Sequence, residues 1–399
     1  MNHQATPEAS GNEVPQAALT VQPAETPASL GQDAKYCPLC PGWYRLRDVK
    51  AKAPDGSITE ATKVILPVFS GDRTRRLFRT ARADGQLTRS QRADIAAQNY
   101  HLECPRRHSL VNSQEPTAVV GVIGNVNSSK SHFIAGLVYE LIHEQRLAAY
   151  GADVGYIGDT GAVMDQRIDT VYRKGEILPN TERNQIDGPF TYRLTRDAST
   201  VAESKTVLTF FDVAGEDCVG LARSAEFVRY LFGATGIILL IDPDGLPFPG
   251  RPLEPRGDVP LATRAIIDNL ADAMAAVTGT PSREQPQIIS ITIAKADIAD
   301  LPADVWPPKL LESSPEHPPS TSEARAALKS YSDACRTAFR AIGGQAIISA
   351  AETRFDPRNV FYSAISATNQ IPLEGRWCGA RPSGCSIPLA EILWFGESL

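Results

Sequence analysis

The stretch that decides the fold spans residues 117–141, TAVVGVIGNVNSSKSHFIAGLVYEL. It opens with an unbroken apolar run over 118–123, which is typical of a parallel strand covered on both faces. A polar loop follows, ends in Lys130-Ser131, and leads into a helical pattern. The apolar positions of that helix form one stripe: Phe133, Ile134, Leu137, Val138, Leu141 and Ile142. Strand, tight loop and helix in this order are the context that a phosphate-binding loop requires.

The loop predicts a triphosphate site. Its backbone N–H groups, together with the N-terminus of the following helix, would surround phosphate oxygens. Lys130 would reach the β and γ phosphates, and the hydroxyl of Ser131 would ligate Mg²⁺. The residues predicted to contact the nucleotide here are Gly124, Asn125, Val126, Asn127, Ser128, Ser129, Lys130 and Ser131.

One position departs from the phosphate-loop pattern G-x-x-x-x-G-K-[ST]. Ser129 stands where the second Gly is expected. Glycine there permits unusual backbone angles and a close approach of the phosphates. Serine keeps the N–H donor but adds a side chain. The alternative interpretation is therefore an ordinary strand–turn–helix with a chance Lys-Ser pair.

Composition indicates a globular chain of one large or two ordinary domains. Of the 399 residues, 42% are hydrophobic and 22% are charged, and the net charge is −6. An acidic chain does not favour bulk nucleic-acid binding. There is no run of eighteen apolar residues and no basic start followed by an apolar core, so we expect neither a membrane span nor a signal peptide. A cytoplasmic location is expected, with the seven cysteines as thiols or metal ligands.

A zinc-binding segment is predicted ahead of the phosphate loop. Cys37 and Cys40 have the C-x₂-C spacing that lets two thiolates occupy adjacent corners of a tetrahedron. A second half-site offers Cys104 and His108, with His101 as a substitute ligand. The long gap between the halves is tolerable because loop-closure entropy grows only logarithmically with length. A redox pair or unrelated thiols are the alternative.

These features divide the chain into three parts. Residues 1–32 lack periodicity and are predicted to be a disordered tail. Residues 33–112 form the zinc-ribbon-like segment with an insertion, which contains a candidate strand at 64–69 and an arginine-rich stretch at 73–92. That stretch is either a solvated helical face or a basic patch, which would be the one feature pointing to nucleic acid. Residues 113–399 form the nucleotide-binding domain.

A second motif predicted to contact the phosphates begins at the end of the strand-like run 206–212. That run ends in Asp212-Val-Ala-Gly215, an Asp-x-x-Gly motif. Asp212 would hold the Mg²⁺ shell, and the N–H of Gly215 would contact the γ-phosphate. Residues 150–181 are interpreted as the segment that contains the nucleotide-sensing loop. Thr181 would give its hydroxyl to Mg²⁺ there, or it is an ordinary loop threonine.

A base-reading loop is predicted after the strand-like run 287–293. Ala294-Lys295-Ala296-Asp297 resembles the guanine-reading N/T-K-x-D, with Ala294 in place of the polar first residue. The Asp297 carboxylate would accept hydrogen bonds from guanine N1–H and its amino group, and the Lys295 stem would cover the base. Another strand at 359–362 leads to Ser363-Ala364, where the N–H of Ala364 would contact the guanine carbonyl.

The remaining elements complete an α/β pattern. Strands are expected at 189–194 and 236–241, and helices at 261–277 and 323–342, with surface segments at 243–260 and 301–322. A short closing helix over 387–395 would bury four side chains: Leu389, Ile392, Leu393 and Trp394. Cys378 and Cys385 lie in a Gly/Pro-rich loop and are interpreted as unpaired thiols.

The motifs occur in the G1 to G5 order of GTPases, each at the end of a predicted strand. The chain resembles the bacterial double-GTPase families, which are P-loop GTPases of the translation-factor-related (TRAFAC) class, and the resemblance covers about 36–399. It implies a mostly parallel sheet flanked by helices, bound GTP or GDP with Mg²⁺, and a nucleotide switch in bacterial conflict or defence-type systems. It also implies a partner protein, such as a second GTPase chain. Arg107 stands where such ribbons often carry a fourth Cys.

Two functions of different classes follow from this resemblance. The first is an active, slow GTPase that uses Lys130, Asp212 and Thr181. Glu216, directly after the Asp-x-x-Gly motif, would take the place of a water-orienting Gln. The second is a nucleotide-binding scaffold with little hydrolysis. An ATPase is a third interpretation, which holds if Asp297 does not face a base.

Overall fold

We describe the fold from a computed structural model of the chain. It describes residues 35–37, 42–44, 46–52, 57–60, 101–105, 117–124, 128–148, 151–157, 160–179, 186–196, 204–213, 231, 234–246, 259–299, 301–308 and 321–396. The predicted tail, the candidate strand at 64–69 and the arginine-rich stretch lie outside these residues.

Twelve strands occur among the described residues, in three sheets. The first five belong to the segment ahead of the nucleotide-binding domain: β1 (Lys35–Cys37), β2 (Gly42–Tyr44), β3 (Lys50–Lys52), β4 (Ile58–Glu60) and β5 (His101–Glu103). The other seven form the main sheet: β6 (Thr117–Gly124), β7 (Ala152–Tyr156), β8 (Ile186–Arg196), β9 (Ser204–Val213), β10 (Gly236–Ile241), β11 (Ile288–Ile293) and β12 (Val360–Ala364).

Helices flank the main sheet. The described α-helices are α1 (Lys130–Val138), α2 (Thr160–Ile168), α3 (Val259–Thr278), α4 (Thr321–Phe339), α5 (Gln345–Arg354) and α6 (Ile387–Phe395). Helix α1 continues for a wider, π-type turn over Tyr139–His143, and α2 does so over Asp169–Arg173. Short 3₁₀ turns lie at Leu46–Asp48, Pro243–Gly245, Ser282–Glu284, Ala296–Ile298 and Pro357–Asn359.

The main sheet is mixed and mostly parallel, as the sequence predicts. Its strand order is β12-β11-β10-β6-β9-β8-β7. The pairs from β12 through β9 are parallel, and β8 and β7 add an antiparallel edge. Strands β10, β11 and β12 are buried at every position, which explains their largely apolar sequences.

The connections around β6 place the candidate site. From β6 the chain passes to the β7 edge and returns through β8 to β9, beside β6. It then crosses to β10 on the opposite side of β6. The carboxyl end of β6 is therefore a topological switch point, where a crevice opens between neighbouring loops. The phosphate-loop residues follow β6 at this point.

Three segments differ from the sequence-based expectation. The segment 150–181 includes β7 and α2, neither of which was predicted, and the sensing loop expected within this segment stays a prediction. Helix α4 ends at Phe339, and a kink at Ile342–Gly343 separates it from α5, which the sequence did not predict. The segment 301–322 was expected to lie on the surface, but Val305 is 1% exposed and its carbonyl accepts from the Tyr331 hydroxyl at 3.2 Å.

The closing helix is confirmed at α6, and the four side chains predicted to be buried are at most 6% exposed. A buried carboxylate holds the start of this helix. Glu140 accepts hydrogen bonds from the Cys385 and Ser386 N–H groups at 3.1 and 2.8 Å and from the Ser386 hydroxyl at 2.6 Å. A carboxylate satisfies the unpaired N–H groups at a helix N-terminus and favours their partial positive charge. The turn after the phosphate-loop helix is thus fixed to α6.

The segment ahead of the nucleotide-binding domain has two small antiparallel sheets. Strands β1 and β2 form a hairpin with Cys37 opposite Gly42, and β3 pairs with both β4 and β5. Cys37 and Cys104 are buried. Cys40 and His108 lie outside the described residues, so the predicted ligand set remains a prediction.

Candidate functional site

The described end of the predicted phosphate loop has a left-handed residue where the pattern expects glycine. Ser129, at the position of the expected second Gly, has φ 60° and ψ 34°, in the left-handed region. Its carbonyl accepts the N–H of Phe133 at 2.8 Å and so begins α1. Glycine favours this conformation, and serine adopts it here at a cost of about 1 kcal/mol. The substitution therefore leaves the course of the backbone intact.

Lys130 lies over the loop and is 8% exposed. Its ammonium donates to the Gly124 carbonyl at 3.3 Å and to the Ser128 hydroxyl at 3.5 Å. A buried ammonium needs such acceptors because an unpaired charge is costly to desolvate. The loop thus holds a positive charge at its centre, next to the first residues of α1, where Ser131 is partly exposed.

Gly124 marks a close approach between the loop and β10. A Cβ at this position would lie 2.6 Å from the Leu240 carbonyl oxygen and 2.6 Å from the Ser128 Oγ. Any side chain would push the loop away from the sheet, so this position requires glycine. The Lys130 ammonium and the N-terminus of α1 provide positive charge of the kind that binds phosphates.

The Asp-x-x-Gly motif begins at Asp212 in β9, the strand that lies beside β6 in the sheet. Asp212 pairs in register with Val122 of β6, two residues before Gly124. The backbone thus brings Asp212 to the same carboxyl-end edge as the phosphate loop. Four other predicted contacts (Asn125, Val126, Asn127 and Gly215) and the predicted catalytic residues Thr181 and Glu216 lie outside the described residues.

The predicted base-reading loop follows β11, two strands from β6. Lys295 has φ 50° and ψ 42°, and it begins the 3₁₀ turn Ala296–Ile298. Asp297 lies in that turn and is partly buried. The Lys295 ammonium forms an ion pair with Asp242 at 2.7 Å. Asp242, the residue after β10, was not among the predicted site residues.

Ser363 directs its hydroxyl into the interior rather than toward the loops. Its Oγ lies 2.9 Å from the Thr292 Oγ1 and 3.4 Å from the Ser290 Oγ. Ser290 in turn donates to the Glu391 carboxyl at 2.6 Å. Any nucleotide contact by Ser363 would therefore come from its backbone. Ala364, also predicted to contact the base, is buried at the end of β12.

A histidine joins α1 to the chain ahead of Thr181. The Nε2 of His132 accepts the Leu178 N–H at 3.1 Å, and its ring packs edge-to-face on Trp377 at 5.1 Å. Burial, with the positive charges of Lys295 and Arg167, lowers the pKa of His132 to about 4. The ring is therefore neutral at physiological pH and keeps the lone pair that Leu178 needs.

The same stretch packs against the chain that follows β12. The Trp377 N–H donates to the Gly175 carbonyl at 2.8 Å. Gly175 has φ +69°, and a Cβ there would lie 2.1 Å from the Trp377 carbonyl oxygen, so glycine is required. Sequence periodicity gives no signal for contacts between residues so far apart, which is why His132 and Trp377 were not predicted.

Glu391 gives a testable pH dependence. The side chain is fully buried, and burial raises the pKa of Glu391 to about 8. The folded chain therefore holds a proton that the unfolded chain has lost, and stability falls as pH rises toward 8. One ionisable group can change the free energy of unfolding by at most about 1.4 kcal/mol per pH unit. Glu391→Gln, which cannot ionise, should make the free energy of unfolding less dependent on pH.

The measurement is the free energy of unfolding by urea between pH 6.5 and 8. The contribution of His132 has the opposite sign, because its lowered pKa makes stability rise with pH until the histidine of the unfolded chain has lost its proton. This contribution is the same in wild type and in Glu391→Gln, so it cancels from the difference between their slopes. Glu374→Gln, an exposed position on a turn, is the matched control. Equal slopes for wild type and Glu391→Gln would show that Glu391 is already ionised in the folded chain.

Within the described ranges, no group of three or more His, Cys, Asp or Glu side chains could hold a metal ion. The described ranges also include no helix that is long and apolar enough to cross a membrane.

The strand–loop–helix at the switch point of a mostly parallel, helix-flanked sheet is the arrangement of a GTPase G domain. The sequence profile of the Double-GTPase 2 family matches residues 118–348, which is more than half of the chain. The chain belongs to this family.

Among solved structures, the signal recognition particle receptor SRb-GTP/SRX complex from Chaetomium thermophilum resembles the chain with 12% sequence identity and a TM-score of 0.29. That match covers 64% of this chain and 93% of the other. Comparison with curated proteins gave no match.

Proposed function

We propose that the chain binds GTP and GDP and slowly hydrolyses GTP in the presence of Mg²⁺, acting as a nucleotide switch. The observation that carries this proposal is the phosphate loop, with Lys130 held over Gly124 and Ser128 and Ser129 in the left-handed conformation. Family membership supports a guanine nucleotide.

The proposed roles follow the position of each residue. The loop from Gly124 to Ser131 holds the phosphates, with Lys130 at the β and γ groups. Ser131 and Asp212 would hold Mg²⁺, with Thr181 from the sensing segment. The ion neutralises charge that builds up on the phosphates. Gly215 would contact the γ-phosphate, and Glu216 would orient the attacking water.

The base side of the site is proposed to read guanine. Asp297 accepts from the guanine donors, the Lys295 stem covers the base, and the Ala364 N–H meets the base carbonyl. Resemblance to the bacterial double-GTPases supports a role in a conflict or defence-type system, together with a partner protein such as a second GTPase chain.

Nucleotide titration tests this function. Purified chain is titrated with fluorescently labelled GTP, GDP and ATP, with and without Mg²⁺. We expect ATP to bind at least about tenfold more weakly than GTP, because a pocket built for hydrogen bonds rejects a mismatched base. A preference for ATP would overturn the guanine assignment in favour of an ATPase.

A nucleotide-binding scaffold is the second candidate. It is favoured by Glu216, since a carboxylate beside the γ-phosphate is less suited than an amide to a site of negative charge. Phosphate release from bound GTP separates the two functions, with Lys130→Ala as the background control. Binding without phosphate release would favour the scaffold.

We also propose a structural zinc ion in the segment ahead of the nucleotide-binding domain. Cys37, Cys40, Cys104 and His108 would hold it, and zinc should co-purify at about one ion per chain. Cys37→Ser should lose the metal, whereas Cys378→Ser, which alters an exposed thiol, should keep it. Elemental analysis that finds no metal in protein purified without chelators would refute the assignment.

A further inference from the structure

The base-reading loop is attached to the ends of both neighbouring strands. The Ala294 N–H donates to the Ile241 carbonyl at 2.9 Å, and the Ala296 N–H donates to the Ile365 carbonyl at 2.8 Å. These bonds fix the main chain on either side of Lys295. The side chains of Ala294 and Ala296 have no polar atoms, so a side-chain anchor for this stretch has to come from Lys295.

Asp242 supplies that anchor. Its carboxylate follows β10 directly and is 6% exposed. One oxygen, Oδ1, accepts the Asp244 N–H at 3.0 Å, which fixes the carboxylate to its own turn. The other, Oδ2, accepts from the Lys295 ammonium at 2.7 Å. A carboxylate held on one side presents its second oxygen in a defined direction, which favours a charge-assisted bond.

Lys295, which forms this ion pair, has an unfavourable backbone conformation. Lys295 is in the left-handed region, which residues with a side chain rarely adopt. Such conformations persist where surrounding contacts fix them. The positive charge of Lys295 also contributes to the lowered pKa of His132 on α1. The Lys295 side chain is therefore close to the phosphate-loop helix as well as to Asp242.

The conformation of Lys295 determines where Asp297 lies. The Lys295 carbonyl accepts the Ile298 N–H at 3.1 Å and so closes the 3₁₀ turn that contains Asp297. If Lys295 left the left-handed region, this carbonyl would rotate and the turn would move. The partly buried carboxylate of Asp297 would move with it.

We propose that Asp242 is a positioning residue for nucleotide selectivity. Through its ion pair with Lys295 it fixes the turn that carries Asp297, and it thereby holds the base-reading carboxylate in place. This inference rests on the proposed guanine nucleotide. It adds a residue that lies outside the base-reading loop and reaches the base only through Lys295.

Asp242→Asn tests the proposal. Asparagine keeps the oxygen that accepts from Asp244 but removes the charge that holds Lys295. The readout is the ratio of dissociation constants for ADP and GDP, which share their phosphates and differ in the base. We expect this ratio to fall about tenfold, the equivalent of one charge-assisted contact. Affinity for inorganic tripolyphosphate, which has no base, should be unchanged.

Two further variants separate positioning from a general structural effect. Lys295→Met keeps the aliphatic stem and should lower the ratio as Asp242→Asn does. The double variant should be no worse than either single one, because both remove the same contact. Asp333→Asn breaks an exposed ion pair with Lys329 on α4 and should leave the ratio unchanged. If Asp242→Asn fails to fold, Lys295→Met carries the test.

The outcomes for this inference and for the proposed function are distinct. A wild-type chain that prefers GDP, with a folded Asp242→Asn variant of unchanged ratio, overturns only the positioning role. Additive losses in the double variant also overturn it, because Asp242 would then act independently of Lys295. A wild-type chain that does not distinguish GDP from ADP overturns the guanine pocket and this inference together.

Discussion

Lys130→Ala is expected to weaken GTP binding by at least about 100-fold, because several charge-assisted hydrogen bonds to phosphate are lost together. In the structure the Lys130 ammonium lies between the Gly124 carbonyl and the Ser128 hydroxyl, at the centre of the loop. Alanine is the best helix former, so the first turn of α1 should persist. The measurement is the GTP dissociation constant, with a thermal melt to confirm folding.

The matched control is Lys52→Ala. Lys52 is an exposed lysine of β3, in the segment ahead of the nucleotide-binding domain. The Lys52→Ala substitution removes the same charge without altering the loop, so GTP affinity should stay within about twofold of wild type. A folded Lys130→Ala chain with undiminished affinity would rule out the phosphate loop as the nucleotide site.

The parallel strands could be predicted because they are buried on both faces. The apolar runs at 118–123, 236–241 and 287–293 correspond to β6, β10 and β11 within about one residue at each end. A strand covered on both sides has few polar positions, such as Ser290 and Thr292 of β11, so its signal is strong. Motifs placed directly after such strands were therefore placed at the correct edge of the sheet.

The elements that the sequence missed are those with weak patterns. Strand β7 contains a glycine and an exposed aspartate, and it lies at the sheet edge with alternating burial. Helix α2 begins Thr-Gly-Ala and buries only three of its nine residues, so its apolar stripe is narrow. Helix α5 follows a glycine pair that indicated an end rather than a new start. Tertiary packing, rather than local pattern, decides these segments.

In the candidate site, too, local sequence patterns could be interpreted, whereas contacts between distant residues could not be predicted. The loop sequence predicts roles for Lys130 and Ser131, and these stay predictions. The sequence alone could not say whether Ser129 would adopt a glycine-like backbone, which it does. Two long-range contacts near the candidate site could not be predicted. Asp242 and Lys295 are far apart in sequence and follow different strands. His132 in α1 and Leu178, between α2 and β8, are also far apart in sequence. Only the strand order brings them together.

Asp297→Asn is expected to move base preference from guanine toward xanthine. A carboxylate accepts from the N1–H and amino group of guanine. Xanthine has a carbonyl in place of that amino group, to which an amide can donate and which a carboxylate repels. Because buried polar groups left unpaired cost much more than a merely weakened contact, the ratio of GTP to XTP affinity should change by at least about 100-fold.

The structure gives this expectation a defined geometry. Asp297 lies in the 3₁₀ turn that Lys295 begins, at the carboxyl end of β11 and two strands from the phosphate loop. Ala294 is fully buried and has no polar side-chain atoms, so Asp297 is the side chain of this loop that can distinguish the donors of a base. The exchange of carboxylate for amide preserves the size and shape of the residue, so the turn should keep its conformation.

The experiment is competition of GTP, XTP and ATP against one labelled nucleotide, for wild type, Asp297→Asn and the control Asp304→Asn. Asp304 is an exposed carboxylate seven residues further along, so its removal changes the charge equally without approaching the turn. Wild type and Asp304→Asn should rank GTP first, and Asp297→Asn should rank XTP above GTP. If the Asp297→Asn chain ranks the nucleotides as wild type does, Asp297 does not read the base. If wild type already prefers ATP, the chain is better described as an ATPase.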